Sequence, residues 1–141
     1  MLHHYPLPKD GRSNYLSLLE MRAEEYPDDF YGLVYLAHEY KYQQKPEKCI
    51  EFVYSKVFPA IAKGNDEMNC KTDLYMFLGD CYDILNQPTE AIASYKAGIE
   101  MDPTFRDNYT RLAKVYYKQQ QYEEAIKTIQ DGMNRSRRQY S

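Results

Sequence analysis

The residues of this 141-residue chain whose chemistry goes beyond packing are three histidines, three cysteines and a set of aspartates. His3 and His4 stand side by side in "LHHYP", and His38 sits in "YLAHEY". Nucleophilic catalysis needs a Ser or Cys within reach of a His that a carboxylate orients. His38 adjoins the small residue Ala37 in a helical register, and nothing there marks it as a base. A zinc site needs three or four ligands converging on one point. Adjacent histidine side chains diverge, and no third ligand stands near His3 and His4. Cys49, Cys70 and Cys81 form no C-x-x-C pair, and their odd number argues against a disulfide framework and for a reducing compartment. Neither G-x-x-x-x-G-K-[ST] nor G-x-G-x-x-G occurs, so a phosphate-cradling loop is absent. The expectation is no catalytic residue, no metal and no cofactor.

Asp73, Asp80 and Asp83 are spaced seven and three apart, which puts them on one face if their segment is helical. What positions them must come from the whole chain. It is 43% hydrophobic and 28% charged, enough for one domain with an apolar core. No apolar run approaches the roughly 20 residues of a membrane helix, and the polar, proline-containing start does not read as a signal segment. The net charge is −3 with neither half strongly biased, so the basic excess of a nucleic-acid binder is missing. Sixteen tyrosines and no tryptophan imply either a core built from phenols or an exposed binding surface.

A repeat decides between these. "YMFLGDCYDILNQPTEAIASYKAGIEMDP" from Tyr75 aligns without a gap on "YTRLAKVYYKQQQYEEAIKTIQDGMNRSR" from Tyr109, at an offset of 34. Leu78, Gly79 and Tyr82 match Leu112, Ala113 and Tyr116; Ala91, Ile92 and Gly98 match Ala125, Ile126 and Gly132. A further copy begins at Leu33, with Leu36, Ala37 and Tyr40, then Cys49 and Ile50. Its offset to the next copy is 42, and the additional residues fall after Cys49, where "VFPAIAKGNDEMNCK" is expected to be an inserted connection with solvated carboxylates. The small residues allow close helix approach. This period with small residues at fixed points resembles the tetratricopeptide family, one antiparallel helix pair per repeat.

The resemblance implies an all-α helical-hairpin solenoid with a right-handed superhelix: about three repeats plus a leading half. Boundaries follow: 1–12 as a junction, 13–29 as the partial leading repeat, 30–71 as the first repeat with its insertion, 72–105 as the second, and 106–141 as the third with a basic tail. Helices are expected over about 14–25 (capped by Ser13), 30–43 (capped by Asp29), 46–57, 68–85, 88–101, 104–119 and 122–136. Pro46 and Pro88 suit first turns, while Pro59 is expected to bend or end its helix. Tyr40, Tyr75, Tyr82, Tyr95, Tyr109 and Tyr116 occupy phased core positions, and Cys49 fills the slot of Ala91 and Ala125. Tyr122, Ala125, Ile126, Ile129 and Met133 form one stripe that lets the array end without a capping helix.

First helices line the inner face of such a solenoid. That face is expected to include Tyr31, His38, Lys41 and Tyr42 from the first repeat. Asp73, Asp80 and Asp83 come from the second, and Asp107, Lys114 and Tyr117 from the third. Asp80 is expected to pair with Lys114 or a nearby base, or the two together contact a partner. The family's chaperone-type carboxylate clamp uses Lys and Asn; the equivalent positions here are Val34, His38, Phe77, Asp107 and Arg111. Only Arg111 suits a carboxylate, so that use is not expected.

The N-terminal half carries a second resemblance. His4, Tyr5 and Pro6, then Arg12, Ser13, Tyr15, Leu16, Leu18, Leu19 and Glu20, then Tyr35, Leu36, Ala37, Glu39 and Tyr40 are similar to the junction between catalytic domain and repeat tail in bacterial family 2 glycosyltransferases. It implies that "LHHYP" is the edge of a catalytic domain that would transfer a sugar from a nucleotide donor through a metal-binding Asp-x-Asp. This chain has no Asp-x-Asp, so it is not itself expected to be an enzyme. The expected partner is a protein or peptide, or the adjoining catalytic domain, with no nucleic acid. The expected location is the cytoplasm. Arg135, Arg137 and Arg138 offer only weak attachment to the inner face of a membrane, at ~1 kcal/mol each, and stable insertion is not expected.

Overall fold

The computed structural model describes residues 12–65 and 70–140, with side chains over 15–63 and 71–135. Every regular element among them is helical. In chain order these are α1 (Arg12–Glu25), α2 (Phe30–Tyr42), α3 (Pro46–Phe52, continued below), α4 (Cys70–Ile84), α5 (Pro88–Met101), α6 (Arg106–Lys118) and α7 (Tyr122–Tyr140). Each packs on its neighbour in sequence, so α2–α3, α4–α5 and α6–α7 are hairpins and α1 leads the stack. This is the expected all-α helical-hairpin solenoid. His3 and His4 lie outside the described residues, as do Asp66 and Glu67 of the insertion.

Local sequence explains the helix boundaries. The Asp29 carboxylate accepts the Gly32 N–H and caps α2, as expected. Pro46 and Pro88 occupy first turns, where a missing N–H leaves no carbonyl unpaired. α1 begins at Arg12, so Ser13 stands within the helix rather than before it.

All three hairpin turns use one geometry. Gln44, Asn86 and Gln120 hold φ of 59°, 59° and 63°. The next amide in each returns to the tyrosine at the same repeat phase: Lys45 N–H to Tyr40 O, Gln87 N–H to Tyr82 O, and Gln121 N–H to Tyr116 O, at 2.8–2.9 Å. That six-to-one bond satisfies a carbonyl the helix end would otherwise leave open.

The eight additional residues of the first repeat do not make only a loop. The chain continues from α3 as a π-helical turn over Val53–Val57, a short α turn over Phe58–Ala60 and a second π turn over Ile61–Asn65. Pro59 neither ends the helix nor leaves it regular. The Phe58 N–H bonds to Val53 O, five residues back, and this widened turn makes room for a ring that would clash in a tighter one. Val53, Val57, Ala60 and Ile61 are buried, so the added turns extend the core.

The small residues sit where helices touch. Ala37 is fully buried, and Ala113 is buried too. A Cβ on Gly79 would overlap the Tyr95 ring, and one on Gly132 would meet Tyr109 at 2.8 Å. Four of the six phased tyrosines (Tyr40, Tyr95, Tyr109 and Tyr116) are buried, while Tyr75 and Tyr82 pack partly buried against the core. Cys49 and Cys81 are fully buried side by side; the Cys49 sulfur and burial together push the Cys81 thiol far above its ordinary range.

Candidate functional site: the groove of first helices

Of the residues expected on the inner face, α2, α4 and α6 bring Lys41 to Asp80 and His38 and Asp107 near Asp73, but they do not pair Lys114 with Asp80. Asp80 is buried, and its carboxylate accepts three donors from three different helices. Lys41 Nζ of α2 lies 2.9 Å from Oδ2, Arg111 Nη1 of α6 lies 2.6 Å from the same oxygen, and the Tyr95 hydroxyl of α5 donates to Oδ1. Asp80 therefore ties three successive hairpins. Lys114 is not its partner: the rotation between hairpins carries Arg111, one turn earlier on α6, over the carboxylate instead. Burial and the bond to Asp80 push the Tyr95 hydroxyl well above the ordinary phenol range.

Around this tie the other side chains fall into two groups. Lys41 also lies over the Phe77 ring, 5.2 Å from its centroid, and Lys118 bonds both carboxylate oxygens of Asp83 at 3.0 and 2.8 Å. These charges are used in holding first helices at their spacing. Asp73 and Asp107 are different. They occupy the same phase on α4 and α6, are exposed, and make no ion pair among the described residues. Burial raises the Asp73 carboxyl above its ordinary value; His38 opposes that and Asp107 adds to it. His38 sits edge-on to Phe77 at 4.1 Å, and burial followed by Lys41 lowers its imidazole below the ordinary value. Tyr31 and Tyr42 are exposed on α2.

Lys114 and Tyr117 lie toward the last hairpin. There α6 and α7 leave an open apolar trough of about 440 Å³, walled by Ala113, Lys114, Tyr117, Ala125, Ile126 and Ile129. The expected self-sufficient ending is not what α7 makes. Ala125, Thr128 and Gly132 are buried against α6, whereas Tyr122, Ile126, Ile129 and Met133 are 50%, 59%, 39% and 47% exposed. The small residues allow close approach on one side of the helix, and the large apolar ones project where a further helix would stack. Sequence reasoning missed Arg111 as an internal ligand of Asp80 and missed this open end. The phase of Arg111 against Asp80 carries no sequence signal.

The geometry offers no catalytic constellation among the described residues. No cluster of three His, Cys, Asp or Glu could hold a metal there, and no helix is long and apolar enough to cross a membrane. Arg111, the one clamp-compatible residue, is already bonded to a carboxylate of its own chain.

Residues 84–140 match the tetratricopeptide repeat family model. No curated protein matches the chain in sequence. Among solved structures, a MamA described as "MamA MSR-1 C2" is 22% identical, with a TM-score of 0.71 over 92% of this chain and 70% of that one. "MamA 41-end from Desulfovibrio magneticus RS-1" is 14% identical with a TM-score of 0.76, over 94% of this chain and 70% of that one. "MamA RS-1 ArsTM double mutant" is 16% identical with a TM-score of 0.74 over the same shares. At these identities the likeness is one of fold, and the fold is that of tetratricopeptide solenoids.

Proposed function

We propose that this tetratricopeptide-fold chain is a non-catalytic interaction module that holds an extended segment of a partner protein across its groove of first helices. The observation that carries the reading is the division of labour among the groove charges. Lys41, Asp80, Arg111, Asp83 and Lys118 neutralise one another between hairpins and make the groove stiff. Asp73 and Asp107 are left as two like charges at one phase of α4 and α6, where burial first and Asp107 in lesser part raise the Asp73 carboxyl. A lysine or arginine side chain placed between them relieves that repulsion. The exposed tyrosines Tyr31 and Tyr42 of α2 supply rigid apolar contact at low entropic cost. The partner segment therefore carries basic residues.

The test is a peptide array probed with the full chain and with Asp73→Asn/Asp107→Asn. The wild type should favour peptides rich in Lys and Arg, and the double variant should lose that preference while keeping its helical circular dichroism. An unchanged preference in the variant rejects the reading.

A second reading is favoured by one observation. Residues that carry the glycosyltransferase-junction resemblance bond to one another: Tyr15 Oη to Tyr35 Oη at 2.9 Å, and Tyr40 Oη to Glu20. An α1–α2 pair fixed in this way is suited to hold a preceding domain at a set angle to the solenoid. On this reading the module positions the catalytic domain of a family 2 glycosyltransferase or its acceptor. An open reading frame upstream of Met1 that encodes an α/β domain with Asp-x-Asp supports it, and a frame without one removes it.

A further inference from the structure

A crevice of about 540 Å³ lies over α2, between α1 and the continuation of α3. Its floor is Leu33, Leu36 and Tyr40, on a different face of α2 from His38 and Lys41. The equivalent crevice between α5 and α7 measures only about 250 Å³. The repeat explains the difference. Tyr109 and Ile99 stand in the later crevice at the positions that Leu33 and Ala23 hold in the first. The Tyr109 ring lies against Gly132, and its hydroxyl donates to Pro103 O at 2.8 Å. Two smaller side chains leave the first crevice open, within the roughly 300–1,000 Å³ of small-ligand sites.

Its walls carry a specific set of polar groups. Phe52 stands edge-on to Tyr40 with 5.7 Å between centroids, and the Tyr40 hydroxyl donates to Glu20 Oε2. Glu20 Oε1 accepts no hydrogen bond among the described residues. Glu24 stands one turn further along α1, and Lys56 stands on the opposite wall. Both are exposed, and neither makes an ion pair among the described residues. A carboxylate and an ammonium group on opposing walls, above an apolar floor, complement a zwitterion that carries a ring.

We infer that this crevice binds a free aromatic α-amino acid, tyrosine above all. The ligand's ammonium group bonds Glu24 and its carboxylate bonds Lys56, while its ring lies on Leu33 and Leu36 beside Phe52. Its phenol hydroxyl donates to Glu20 Oε1. Glu20 and Glu24 are one helical turn apart, about 5.4 Å, a span that a hydroxyphenyl side chain covers. This site and the Asp73–Asp107 groove use different faces of the array, so either can fail while the other stands.

The test is saturation-transfer NMR and calorimetry on the full chain with L-tyrosine, tyramine, hydroxyphenylpropionate and L-leucine. L-tyrosine should bind saturably. Tyramine lacks the carboxylate and hydroxyphenylpropionate lacks the ammonium group, so each should bind at least about fivefold more weakly. L-leucine should not bind. Lys56→Glu, at an exposed position, should reverse the order of L-tyrosine and tyramine. Leu33→Tyr supplies the ring that the later crevice holds, and it should abolish binding with helical circular dichroism unchanged. Where Leu33→Tyr alters the dichroism, the Lys56 variant decides alone. Absence of saturable L-tyrosine binding, equal affinity for the three phenols, or indifference of their order to Lys56→Glu overturns the inference. So does L-tyrosine binding that survives Leu33→Tyr.

Discussion

Asp80 shows how one side chain can be read as a binding residue and prove to be a structural one. Its type, phase and face are those of a groove contact, but three donors reach it from α2, α5 and α6. Its side chain is 10% exposed, while those of Lys41 and Arg111 are 25% and 37% exposed. Removing its charge leaves two neighbouring cations without a counter-ion in a half-dry setting. Because water still reaches both, the cost is below that of breaking a fully buried pair, at about 1–3 kcal/mol for Asp80→Asn. Asp83→Asn, whose Lys118 partner is 57% exposed, should cost no more than about 0.5 kcal/mol. Urea titrations monitored by circular dichroism should show a clear fall in midpoint for the first variant and almost none for the second. Equal midpoints would remove the assignment of Asp80 as the tie between hairpins.

At the scale of elements, the three turns repeat a strained residue. Gln44, Asn86 and Gln120 each take a left-handed conformation that costs an L-residue roughly 1 kcal/mol and costs glycine almost nothing. Gln120 is exposed, so its side chain has little packing to lose. Gln120→Gly should therefore raise stability by about 0.5 kcal/mol, since added unfolded-state freedom offsets part of the relief. Thermal unfolding resolves this, and a lowered midpoint would contradict it. The first repeat carries its excess length in a different way, through two π turns around Pro59. Residues 66–69 of the expected solvated loop lie outside the described residues, and the part of the insertion before them became core. The reason is Val57, Ala60 and Ile61, whose burial stabilises more than the irregular hydrogen bonding costs.

At the scale of the molecule, a stack in which each hairpin touches only its neighbours has stability distributed along its length. α4 and α5 are flanked by hairpins on both sides, whereas α7 has one covered side and one open. Hydrogen exchange should be slowest in α4 and α5 and fastest in the outer turns of α7. Uniform protection along the chain would mean that the array unfolds as one unit.

The repeat, its period and the small residues at 37, 79 and 113 were legible in the amino-acid sequence, because close helix approach admits only a few side chains and repeats them at a fixed interval. The tyrosine core was legible for the same reason. Helix ends were readable wherever a proline or an aspartate punctuates the chain. Partners across hairpins were not: whether Arg111 or Lys114 reaches Asp80 depends on the rotation between stacked pairs, which no local pattern encodes. Nor could periodicity tell a stripe that covers itself from one left open, since that depends on which neighbour stands beside it. Only the assembled solenoid decided which charges hold the wall together and which face outward.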